Sequence, residues 1–153
     1  MRRKDKEITD KMILTALLNK AQVCRLALSD NNIPYIVPVN FGIQDNCLYI
    51  HSAKEGKKME ILKKNDKVCF EIDLDFQLQT AKDPCQFSAQ YQSVIGFGIA
   101  TFINSLDEKI KALNIIMQHY TGKNNYMFKE YGLKKIAIIK IEITKLTGKK
   151  SYL

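Results

Sequence analysis

Three strand-like runs separated by turns of only a few residues are the strongest constraint in this sequence. Residues 21–28 (AQVCRLAL) read as a buried strand, and residues 35–42 (YIVPVNFG) and 47–52 (CLYIHS) as two more. Between them stand residues 29–32 (SDNN) and Asp45-Asn46. Asn and Asp tolerate positive φ and bond their own backbone, so both stretches are turn chemistry. Strands joined this tightly pair antiparallel with their neighbours. Pro38 cannot donate to a ladder, so the second strand is expected at an edge, or bulged there. In the third, Leu48 and Ile50 face one way and Cys47, Tyr49 and His51 the other.

The rest of the chain extends this pattern. Residues 68–74 alternate, with Val68, Phe70, Ile72 and Leu74 on one face; residues 91–103 form a long strand and residues 136–146 the last. Helices are expected at 9–20, capped by Thr9 or Asp10 with Ile13, Ala16 and Leu17 inward, and at 54–64. A third opens on the Ser105–Glu108 capping box, carries the stripe Leu106, Ile110, Leu113, Met117 and Tyr120, and stops at Gly122. Six antiparallel strands with helices between them make an α+β domain, most economically a small closed barrel occupying residues 1–153 as one unit. Residues 75–90 form the one long connection, of the length at which loops are often functional.

Of 153 residues, 24 are Lys or Arg and 16 Asp or Glu, a net charge of +8. That field attracts anions. The basic residues come in short doublets and the aromatics fit core patterns, so a nucleic-acid platform is not expected. No apolar run approaches a membrane span and the charged N-terminus lacks a signal-peptide core, which makes the expectation a cytoplasmic protein with no membrane partner. Cys24, Cys47, Cys69 and Cys85 are too widely spaced for a zinc site, and no metal is expected.

Three stretches carry possible chemistry. In residues 49–62 a strand ends at His51-Ser52 and a helix begins at once. The free amides of its first turn, Gly56, Lys57 and Lys58 together suit a phosphate. The competing reading is an ordinary helix start, with Ser52 and Glu55 as a capping box and the lysines solvated. Pro38 would free backbone groups at Val39, Asn40 and Phe41 for the edge of a planar heteroaromatic such as a flavin, or simply mark a bulged edge. Gly96 and Gly98 bare one face of the long strand, admitting another chain or a cofactor, or permitting a sharp bend. His119, in the last turn of its helix, reads as structural. His51, at the mouth of the phosphate site, reads as a ligand contact.

Taken in order, residues 1–4 (MRRK), 34–42 (PYIVPVNFG), 48–58 (LYIHSAKEGKK), 91–98 (YQSVIGFG), 107–109 (DEK) and 147–149 (TGK) resemble the FMN-binding split-barrel superfamily typified by pyridoxamine 5′-phosphate oxidase, and within it the nitroimidazole-resistance (Nim-type) branch. The resemblance implies an antiparallel six-stranded split β-barrel with flanking helices. It implies FMN as cofactor, with Val39, Asn40 and Phe41 on the isoalloxazine ring, and His51, Ser52, Ala53, Lys57 and Lys58 on the ribityl phosphate. A histidine in the position of His51 lies beside the active site in that branch, making His51 the catalytic candidate. The family is generally a homodimer with FMN at the subunit interface, where Tyr91 and Ser93 would serve. The implied activity is flavin-dependent reduction of a small molecule such as a nitroaromatic. The alternative is a non-catalytic flavin- or haem-binding protein of the same fold, with His51 and His119 as axial ligands. Residues 147–153 do not match the segment that grips pyridoxal phosphate, which argues against pyridoxamine phosphate as substrate.

Overall fold

The computed structural model describes residues 3–151. Met1 and Arg2, in the first piece of the resemblance, and Tyr152 and Leu153 lie outside those described residues. In chain order the elements are β1 (Glu7–Ile8), α1 (Lys11–Lys20), β2 (Cys24–Asp30), β3 (Ile33–Val39), β4 (Gly42–Gln44), β5 (Cys47–Ala53), α2 (Lys57–Lys64), β6 (Lys67–Gln79), β7 (Ser88–Ile103), α3 (Leu106–Thr121), α4 (Glu130–Lys135) and β8 (Ile136–Ser151).

The short turns form as their residues dictate. Asn31 and Asn32 take φ of 50° and 69°, and Asp45 and Asn46 take 50° and 60°. Two successive positive φ values give the hairpin turn whose twist matches the flanking strands. Hairpins β2–β3 and β4–β5 result, in continuous register from Asp30↔Ile33 and Gln44↔Cys47.

All pairings are antiparallel, and the strands run β3-β2-β6-β7-β8-β5-β4, with β1 added on β8. The two ends of that path, β3 and β4, are consecutive in the chain, with only Asn40 and Phe41 between them. Seven strands laid flat would span roughly 29 Å. The three steps from Val39 to Gly42 reach about 11 Å at most. The sheet therefore has to curl until its edges meet, and since β3 and β4 do not pair, the barrel stays split along that seam. The six expected strands are present as β2, β3, β5, β6, β7 and β8. Two short ones add to them: β4, because the run 35–42 divides at Asn40-Phe41, and β1, which pairs with the end of β8 through Glu7↔Lys149 and Ile8↔Gly148.

β3 is an edge strand, as Pro38 requires, and its register shows no bulge. The tight turn makes Asp30 and Ile33 the bonded closing pair, so by alternation Pro34 and Pro38 carry their nitrogens on the side away from β2. Neither proline costs the ladder a bond.

The barrel interior is filled by Leu26, Phe70, Ile72, Val94, Leu48, Ile50, Ile139 and Ile141, all fully buried. Gly96 and Gly98 belong to this interior, which decides against the open-face reading. The Phe70 ring covers Gly96, while the Glu142 carbonyl and the Ile141 side chain stand 2.5 and 2.6 Å from where a Cβ on Gly98 would lie.

Two helices turn a different face inward from the expected one. In α1 the buried row is Leu14, Leu17 and Leu18, and Ile13 and Ala16 lie outside. Three leucines offer more area to bury than the Ile13–Ala16–Leu17 row. In α3 the buried residues are Lys109, Ala112 and Ile116. Gly42 favours that orientation: a Cβ there would stand 2.7 Å from the Ile115 backbone, so the missing side chain lets β4 approach α3 closely at that turn. Both helix ends follow the sequence. Asp10 accepts from the amides of Met12 (2.8 Å) and Ile13 (3.3 Å), Ser105 accepts from Glu108, and Gly122 takes φ 73°. Replacing Asp10 with Ala should cost about 1 kcal/mol of stability, read by denaturant unfolding.

Residues 75–90 are a loop only over 80–87, where Pro84–Gln86 make a single 3-10 turn. β6 and β7 continue past the barrel as a hairpin arm, paired from Gln77↔Gln90 to Gln79↔Ser88, after an irregularity where Asp75 takes φ 56°. Phe76 and Leu78 are exposed on that arm. No helix among the described residues is long and apolar enough to cross a membrane.

Candidate functional site

β5 carries the first group of candidates. Leu48, Ile50 and Ser52 point inward and are buried, whereas His51 and Ala53 are exposed. Cys47 is buried too, although its row faces outward. The following helix does not begin at once. Residues 54–56 make a bend, and Gly56 caps α2 with φ 111° and ψ 167°, a backbone conformation that glycine supplies without strain. No side chain caps the helix, so Ser52 and Glu55 do not form a capping box. Its first-turn amides are left without a side-chain acceptor.

Lys57 and Lys58 then diverge. The Lys57 ammonium sits over the Tyr35 ring on β3, 5.0 Å from its centroid. Lys58 is half-buried, and burial alone pushes its pKa below the ordinary lysine range. The ion pairs among the described residues use Arg3, Lys20, Arg25, Lys64 and Lys134, and none involves Lys57 or Lys58. A cation held partly out of water with no acid beside it favours an incoming anion.

The seam residues behave differently from expectation. Pro38 does not free three successive backbone units. Val39 is buried and stays in register with Cys24. Phe41 is fully buried, and its amide donates to the Tyr120 hydroxyl at 3.1 Å, which in turn donates to the Gln22 carbonyl at 3.0 Å. Asn40 alone stands exposed in the seam. From Tyr35, where Lys57 docks, to Asn40 is five residues of extended chain, about 17 Å. That matches an extended flavin mononucleotide with its phosphate at Lys57 and Lys58 and its ring at Asn40, so the residues present fit the group.

His119 closes the seam from behind. Its Nε2 lies 2.6 Å from the Ala21 carbonyl and its ring centroid 4.5 Å from that of Phe41. A carbonyl only accepts, so Nε2 carries the proton and has no lone pair for a metal. The structural reading of His119 therefore holds.

Tyr91 and Ser93 lie elsewhere in the chain. His51 registers with Ile138, which pairs Ile103, twelve residues and about 40 Å of strand path from Tyr91. Tyr91 instead accepts a hydrogen bond from Lys149, whose ammonium lies 5.0 Å from its ring centroid. His51, Ser52, Ala53, Lys57 and Lys58 thus follow one another across the β5–α2 junction, and Lys57 reaches β3 at Tyr35, whereas Tyr91 and Ser93 lie apart. Tyr35 and Tyr120 escaped the sequence reading. Tyr35 looked like one more strand aromatic and Tyr120 like one more stripe residue, and no local signal marks a hydroxyl or ring that reaches across the fold.

Comparison with known proteins gives a consistent picture. The signature of the pyridoxamine 5′-phosphate oxidase family matches residues 10–150. A solved structure described as a candidate 5-nitroimidazole antibiotic resistance protein from Bacteroides thetaiotaomicron is 33% identical, with 94% of this chain and 86% of that one covered at a TM-score of 0.85. The flavocytochrome Anf3 from Azotobacter vinelandii (17% identity, 100% and 72% covered, TM-score 0.85) and an FAD- and haem-binding protein from Mycobacterium smegmatis (19%, 97% and 74%, TM-score 0.88) share the fold. A search of curated proteins returns no match.

Proposed function

The chain belongs to the pyridoxamine 5′-phosphate oxidase family, and on that premise we propose that it is an FMN-binding oxidoreductase that reduces a small molecule of nitroaromatic type. The observation that carries this reading is the half-buried Lys58 ammonium, which has no counter-ion among the described residues, next to Lys57, whose ammonium lies over Tyr35 on the edge strand that leads to Asn40. Bound FMN would supply the chemistry, holding two electrons between a reduced donor and the acceptor.

The chain's own residues bind and orient. Lys57, Lys58 and the uncapped amides of α2 hold the phosphate, with the backbone at Ser52 and Ala53 leading up to it. The Tyr35–Asn40 edge supports the ribityl chain and ring, and buried Phe41 keeps water from its inner face. His51, exposed at the strand end, is placed to meet the substrate and pass it a proton. His119, occupied by Ala21, favours a flavin over a haem held between two histidines.

The same reading assigns a homodimer. Tyr91 and Ser93 share the outward row of β7 with exposed Ile95 and Phe97, and the arm adds Phe76 and Leu78. A second copy laid on this row would carry Tyr91 and Ser93 to the other chain's seam, completing a site that one chain leaves open. The expected results are a flavin absorption spectrum in protein purified without added cofactor, quenching of FMN fluorescence on titration, and NAD(P)H-dependent reduction of a nitroaromatic. Protein that stays colourless and leaves FMN fluorescence unchanged refutes the proposal.

A further inference from the structure

A second cationic concavity lies on the other flank of α2. At about 100° per residue, Met59 and Lys63 lie roughly 200° and 240° around the helix from Lys57. They face α3 and the far end of β7, where with Lys54, Phe102, Leu106 and Lys109 they line a cavity of about 510 Å³. Lys134 also lines it, but is paired with Glu130 at 2.7 Å. No Asp or Glu lines the cavity, and Lys54, Lys63 and Lys109 form no ion pair among the described residues.

Lys109 is the unusual group. It is only 7% exposed, and it reaches the Ile136 carbonyl at 3.0 Å and the Leu133 carbonyl at 3.4 Å. An ammonium has three hydrogens. Two carbonyls account for two of them, and neither supplies a countercharge. Burying a cation this way is costly unless a negative charge arrives.

We propose that this cavity binds a small organic anion, a carboxylate or phosphate ester on an aromatic body, with Lys109 as the fixed contact, Lys54 and Lys63 as the gathering charges, and Phe102, Leu106 and Met59 as the apolar walls. Burial, and then the nearby Lys54 charge, hold the Lys109 pKa below the ordinary lysine range, and a bound anion would relieve both effects. None of these residues belongs to the Lys57–Lys58 seam, so the proposal stands apart from the flavin.

The test is a site-resolved NMR titration of the full chain with phenyl phosphate, benzoate, benzyl alcohol and inorganic phosphate. Met59 and Leu106 methyl signals report this cavity, and Tyr35 ring signals report the seam. The expected result is saturable shifts of Met59 and Leu106 with one or both aryl anions, at least tenfold tighter than with benzyl alcohol or inorganic phosphate. The preferred aryl anion identifies the head group. Lys109→Met and, separately, the surface change Lys63→Glu should each weaken binding tenfold or more. Shifts confined to Tyr35, an equal response to benzyl alcohol or inorganic phosphate, or unchanged affinity in Lys63→Glu would overturn it.

Discussion

Gly96→Val should leave little folded protein, and Gly96→Ala should lose about 3 kcal/mol, the upper part of the range for overpacking a core. A Cβ at Gly96 would stand 2.5 and 2.6 Å from Phe70 Cε1 and Cε2 and closer still to Cζ. Phe70 is fully buried on the neighbouring strand, directly opposite in register, so its ring cannot swing out to solvent without leaving the core. β-propensity would predict the opposite sign, since Ala and Val both exceed Gly in strands. Denaturant unfolding of Gly96→Ala in the wild-type and Phe70→Leu backgrounds separates the two accounts. The steric account requires a much smaller penalty once the ring is gone, as neighbouring sites couple. An equal penalty in both backgrounds would refute it.

The same pair shows what a sequence can and cannot carry. Local rules were legible wherever one or two residues decide the backbone. Asn31-Asn32 and Asp45-Asn46 set the hairpins, Pro38 the edge, Ser105 and Gly122 the ends of α3. With antiparallel pairing those choices were enough to imply a barrel, though not its strand order. What stayed hidden was which of two plausible faces turns inward. Gly96 and Gly98 read equally well as an opening or as a filled position, because the answer belongs to Phe70 and Ile141 on neighbouring strands. The α1 and α3 stripes shifted for the same reason: the partner surface chooses the face, and Gly42 is part of that surface. Residues 75–90 looked like a loop because the arm's cross-strand pairs have no barrel behind them to impose alternation.

The candidate site was legible as chemistry and less so as geometry. Gly56, Lys57 and Lys58 stand together in sequence and at the start of α2, but the two lysine side chains diverge. The exact start of α2 depended on the bend at 54–56, and the fate of the Phe41 amide on Tyr120, 79 residues away. Such long-range hydrogen bonds have no local signature.

Reversing both charges, Lys57→Glu with Lys58→Glu, should weaken FMN binding by roughly 3–6 kcal/mol, since each charge-assisted bond is worth about 1.5–3. That is a loss of about 10² to 10⁴ in affinity. The fold should survive, because Lys57 is exposed, Lys58 only half-buried, and neither bonds a carboxylate. Lys111→Glu with Lys145→Glu makes the same change in net charge elsewhere and should leave FMN affinity within a few-fold, separating a local phosphate clamp from the general field of a basic protein. The pH dependence gives a second, independent readout. Burial lowers the Lys58 pKa, so as pH rises this side chain loses its charge before an ordinary lysine does. Affinity for the phosphate should therefore fall on the alkaline side, and in Lys58→Arg, which stays charged, that fall should vanish. If affinity in the double Glu variant matches wild type, the phosphate lies elsewhere. If instead affinity drops equally in the Lys111–Lys145 control, only the overall charge matters, and the seam loses its claim to the cofactor.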